Sequence, residues 1–196
     1  MAKKEPYILT SDEPTLNTEL HRKDINILYL VISIILWILM TLWIAEIFKL
    51  SSETGTESAS RSYSLFYYLN SYINFEYVTE EIIRKAAHLF EFSILSVIAF
   101  FAVNTTNKIS PKVAYSESRM KLIKSDNEMF ILISLWICTL YAILDEYHQL
   151  FVDGRHGSIA DVGIDLIGII PTLLIIRLIF TIYLRHLGKD EERYED

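Results

Sequence analysis

The chain has 196 residues, about the size of one domain with short tails, and 52% of them are hydrophobic. Its formal charge of -7 comes largely from acids in the tails and in one motif region, and no basic stripe interleaved with aromatics is present, so no nucleic acid is expected as a partner. The single cysteine, Cys138, rules out an intramolecular disulfide, a thiolate cluster or a redox pair, and its apolar neighbours predict a small buried hydrophobe.

Residues 1–24 are polar, carry Pro6 and Pro14, and read as a disordered tail. The apolar run at 25–48 starts too late and lasts too long for a cleavable signal peptide. It predicts a retained transmembrane helix, since about twenty apolar residues at about 1.5 Å each cross a bilayer core. Residues 49–79 follow as a polar loop opening on KLSSETGTESASRS, whose Ser and Thr content predicts flexible, solvated backbone. Its Tyr- and Phe-rich end, 65–78, predicts a short interfacial segment in this first outer loop.

A second transmembrane helix is predicted over 81–103. Arg84, His88 and Glu91 share one narrow stripe of it, with Lys85 at the edge, and the other sides are apolar. Glu91 lies two turns in and cannot face lipid as a carboxylate. Residues 104–128 read as a polar, basic loop, and 129–152 as the third helix. The connection DGRHG leads into a fourth helix over 158–187, with Ser158 as candidate N-cap and Pro171 as an expected kink. Residues 188–196 read as a short acidic, disordered tail. The fold class is all-α: a polytopic membrane protein built as a bundle of four transmembrane helices.

Lys3, Lys4, Arg22 and Lys23 before the first span, a basic second loop, and Arg185, Lys189 and Arg193 at the end place both termini on the cytoplasmic side. The polar ends of all four helices then meet on the outer side. On the third helix Asp145 and Gln149 are i and i+4, flanked by Glu146 and His148. If these stripes face one another, the outer end holds a partly buried pocket. Its catalytic candidates are His88, Glu91, Asp145, Glu146, Gln149 and Asp161. Its substrate-binding candidates are Arg84, Lys85, His148, Arg155 and Asp165. Acids outnumber permanent cations, so some are protonated, His88 or His148 is charged, or a divalent cation is bound. HxxE and DExxQ offer oxygen and nitrogen ligands but match no diagnostic metal motif. As an enzyme, Glu91 or Asp145 would serve as general acid or base and His88 as proton shuttle or phosphate ligand. Lys85 and Arg155 would hold an anionic head group, Arg155 in a bidentate manner. The plainer alternative is polar glue between helices.

In order and spacing, SSETG after the first helix, RKAAHLFEF opening the second, and DEYHQLFVDGRHGSIADVGIDLIG across the third and fourth resemble the VanZ family of bacterial membrane proteins. The likeness covers about 25–187. The family's Lys, His and Glu on the second helix are matched by Lys85, His88 and Glu91, its Asp-Glu and Gln on the third by Asp145, Glu146 and Gln149, and its later Gly-Arg and Asp by Gly154, Arg155 and Asp161. Phe92, Asp153 and Asp165 depart from it, standing where tyrosine, proline and asparagine are common. The resemblance implies a four-helix protein of the bacterial cell membrane linked to low-level resistance to glycopeptides, teicoplanin in particular, and kinship with enzymes acting on lipid head groups. Three readings stay open. One is a hydrolase or transferase of a phosphate-linked membrane lipid or lipid-linked wall precursor, and another is a binding protein that shields such a precursor. The third is a solute transporter, disfavoured because the polar residues stop near one face and Arg177 is the only deep charge in the inner half.

Overall fold

The computed structural model describes residues 25–71, 79–110 and 116–195. The expected disordered tail at 1–24 lies outside them. Five helices follow in order: α1 (Ile27–Ser51), α2 (Gly55–Asn70), α3 (Glu80–Lys108), α4 (Ser116–Gln149) and α5 (Ile159–Glu195). Among the described residues there is no strand. Ile27–Ser51, Glu81–Lys108, Asp126–Gln149 and Ile159–Tyr183 are each long and apolar enough to cross a membrane. The chain is an all-α, multi-pass membrane protein.

Local chemistry sets the helix starts. Asn26 caps α1, its side-chain oxygen accepting from the Leu28 and Tyr29 N–H groups at 3.1 and 3.4 Å. Thr79 caps α3 by accepting from the Ile82 N–H at 3.4 Å, and Ser158 accepts from the Ala160 N–H at 3.0 Å ahead of α5. The helices pack through a core of Phe92, Leu95, Ala99 and Phe100 on α3, Cys138 and Ala142 on α4, and Ile169 and Leu173 on α5, with Met40 and Ile47 added from α1. Cys138 is fully buried, as its surroundings predicted. Outward positions such as Ile34, Leu42, Trp136 and Ile179 are exposed and apolar, as lipid contact requires.

Three expectations are corrected. The loop after the first span is not flexible coil: 55–70 is α2, which packs on α3 with Ser58 and Ser62 buried. Its start is a capping box. The Thr54 N–H donates to Glu57 Oε2 at 2.9 Å, and the Glu57 N–H donates back to Thr54 Oγ1 at 3.3 Å. Arg61 reaches back from the second turn to pair with Glu53. Tyr63, Leu65, Tyr67 and Tyr68 stay exposed on this helix, while residues 72–78 of the expected interfacial segment fall outside the described residues. The second correction concerns the basic loop, because α3 continues to Lys108 and α4 already begins at Ser116. The third concerns the C-terminal tail, which continues α5 to Glu195.

The Thr54 N–H and hydroxyl hold the Glu57 carboxyl below its unfolded value near 4.5. Its support of α2 is therefore complete above that value and is lost as pH falls through the lower folded one. Amide exchange in the first turn of α2, corrected for intrinsic rates, should stay flat from about pH 7 to about pH 5 and accelerate in stronger acid. Glu57→Gln should remove that dependence.

Candidate functional site

α1 and α4 end where α3 and α5 begin, and the loop between α4 and α5 ties these ends together. Gly154 turns the loop at φ 73, a left-handed conformation that favours glycine. The Gly55 N–H donates to Asp153 O at 3.0 Å, so the start of α2 rests directly on this loop. Arg155 then reaches sideways. Its Nε donates to Glu53 O and its Nη2 to Leu50 O, each at 3.0 Å, and Nη1 donates to Gln149 Oε1 at 3.5 Å. The expected bidentate anion grip is thus largely engaged on the protein's own carbonyls. The guanidinium is a staple between the end of α1 and the end of α4. Burial, followed by the neighbouring Arg84 and Arg61, lowers its pKa.

Around this staple lies a cavity of about 300 Å³. Arg84, Lys85 and His88 line it from α3, Glu146 and Gln149 from α4, Arg155 from the loop, and Asp161 and Asp165 from α5. Eight of the eleven residues singled out in the sequence therefore share one wall system. Glu146 has both oxygens engaged: Oε2 accepts from the Ser158 N–H at 2.9 Å and Oε1 from Gln149 Nε2 at 3.2 Å. The same Gln149 nitrogen donates to Asp145 Oδ2 at 3.1 Å. His88 Nδ1 stands 3.8 Å from Asp165 Oδ1. His88 Nδ1, Asp145 Oδ1 and Asp165 Oδ2 are all buried without a hydrogen-bond partner.

The other three candidates lie elsewhere. Asp145 is buried behind the cavity, 2% exposed, and does not line it. Glu91 lines a smaller neighbouring cavity of about 90 Å³ with Arg61, Ser62, Leu65 and Ile83, which also shares Arg84 and His88. His148 turns to α1, its ring 4.4 Å from that of Phe48 and its Nε2 3.0 Å from Ser52 Oγ. The Ser52 hydroxyl also lies within hydrogen-bond reach of Phe48 O, at 2.7 Å. Among the described residues no three His, Cys, Asp or Glu side chains converge into a metal-ligand set.

Sequence reasoning missed Arg61, Glu53, His156 and Ser158 as site-forming residues. His156 lines the larger cavity beside Arg155. The T-x-x-E spacing of Thr54 and Glu57 was the available signal for α2, and α2 is what brings Arg61 to the site.

A bundle of apolar helices with its ionisable side chains gathered in one cavity at one end defines a polytopic membrane protein with a polar site near one membrane surface. Within that class, the chain belongs to the VanZ/LLP1 family, whose model matches residues 30–180. Comparison with curated proteins and with solved structures gave no match.

Proposed function

We propose that this VanZ-like protein works in the bacterial cell membrane with both termini cytoplasmic and the cavity opening outward. The excess of Lys and Arg before the first span, in the second loop and after the last span supports that orientation. There the cavity receives a phosphate-linked lipid head group or lipid-linked wall precursor and acts on it. The cellular outcome is low-level glycopeptide resistance, to teicoplanin in particular.

The single observation that carries this reading is the cavity of about 300 Å³ in which Arg84 and Lys85 stand beside His88, whose Nδ1 faces Asp165 at 3.8 Å without a hydrogen bond. Two permanent cations suit a phosphate, and an imidazole beside them can take or give a proton at its oxygens. Glu146, with both oxygens occupied, orients the loop instead.

Envelope lipids and lipid-linked wall precursors should be compared by mass spectrometry in cells expressing wild type or His88→Gln at matched levels. The expected result is a species that appears or vanishes only with wild type. Identical profiles would sink the enzymatic reading. A binding protein that shields a wall precursor is the second reading, favoured by the commitment of Glu146 and Arg155 to protein hydrogen bonds. Under it, teicoplanin protection survives His88→Gln and is lost in the Arg84→Gln, Lys85→Gln double variant.

A further inference from the structure

The two long walls of the larger cavity carry opposite charge. The α3 wall presents Arg84 and Lys85, and the α5 wall presents Asp161 and, one turn further in, Asp165. Both helices start at this end and run in the same direction, so Arg84 and Asp161 mark the mouth while His88 and Asp165 meet at the floor, 3.8 Å apart. Above that contact the walls stay apart. Lys85 pairs with Glu81 on its own helix, and among the described residues neither Arg84 nor Asp161 has an ion-pair partner.

At the floor, Asp165 is 1% exposed and its Oδ2 has no hydrogen-bond partner. A buried carboxyl oxygen without a hydrogen-bond partner on a residue that lines a cavity calls for a donor, and a charged donor satisfies it best. A purely anionic head group would place its phosphate at Arg84 and Lys85 but leave Asp161 and Asp165 opposed to more negative charge. A quaternary ammonium has no N–H to give Oδ2. The volume sits at the lower end of ligand-binding cavities, which suits a head group rather than a whole glycan.

We infer that the cavity is built for a zwitterion: an anionic phosphate against Arg84 and Lys85, joined by a short linker to a primary ammonium held by Asp161 and Asp165. The corresponding ligand is an aminoalkyl phosphate such as phosphoethanolamine, carried on a lipid or free. This rests on the head-group reading above and narrows it.

The test is native mass spectrometry of the detergent-solubilised full-length protein titrated with short-chain phosphatidylethanolamine, phosphatidylcholine and phosphatidylglycerol. The ethanolamine lipid should bind about tenfold more tightly than either of the others, the size expected for one charge-assisted hydrogen bond. Asp165→Asn should abolish that preference. Asp161→Asn, at a half-exposed position where folding is less at risk, should weaken it as well. The Arg84→Gln, Lys85→Gln pair should weaken all three lipids alike. Soluble phosphoethanolamine competing as well as the lipid would uphold the zwitterion site and assign it to the free amino phosphate. Equal binding of the ethanolamine and glycerol lipids, or a preference surviving in both aspartate variants, would overturn the inference and leave the head-group reading standing. Binding of none of these probes would overturn both.

Discussion

Arg155→Gln is expected to lower stability by about 3 kcal/mol. Three donors leave at once. The carbonyls of Leu50 and Glu53 lose hydrogen bonds of 3.0 Å each, and Gln149 Oε1 loses its longer contact. A charge is also withdrawn from beside buried Asp145 and Glu146, which are left with less compensation. Lysine keeps the charge but not the planar fork, so Arg155→Lys should recover less than half of the loss. Unfolding midpoints in mixed detergent would measure both. A near-neutral Arg155→Gln would mean that the ends of α1 and α4 are held by packing alone.

Gly168→Ala and Gly163→Ala should move stability in opposite directions, although both glycines lie on α5. A Cβ at Gly168 would sit 2.4 Å from the backbone oxygen of Leu89, so α3 and α5 would have to part. Overpacking of this kind costs about 1–3 kcal/mol, and rigid backbone as the obstacle places the expectation near the upper end. Small residues at helix crossings exist in membranes for this close approach. A Cβ at Gly163 meets nothing within 4 Å, and alanine there should gain up to about 1 kcal/mol from helix propensity. Because the Gly168 crossing lies one turn below the His88–Asp165 contact, Gly168→Ala should also weaken ligand binding at the cavity, whereas Gly163→Ala should not. Equal midpoints for the two variants would show that the helices separate freely.

The four spans were readable because apolar length is a one-dimensional property, and the gathering of ionisable residues at one end followed from their places along each span. Rotation about the helix axis was harder to read. Asp145 and Gln149 share a face by spacing, yet Gln149 lines the cavity and Asp145 sits behind it, since both their burial and their partners depend on how α4 rolls against α1. His148, one residue from Gln149, faces α1 for the same reason. α2 was hidden by composition. Its serines resemble linker residues, but Ser58 and Ser62 are buried because small side chains let this helix lie close on α3. The role of Arg155 was out of reach, because its main partners lie 102 and 105 residues away in the chain.

α1 is the most apolar of the four spans and the least enclosed, with 11% of its window buried. Hydrogen bonds tie it to the rest: Ser33 and Trp37 to Thr106 at 2.7 and 3.0 Å, Trp43 to Glu91 O at 3.0 Å, and Tyr141 to Ile44 O at 2.9 Å. A helix so constituted can leave the translocon alone and persist in lipid before its neighbours are synthesised. α3 differs, since its Arg84, His88 and Glu91 line cavities that it shares with α2, α4 and α5. The expected order of assembly is therefore α1 first in the bilayer, with the later spans packing against it.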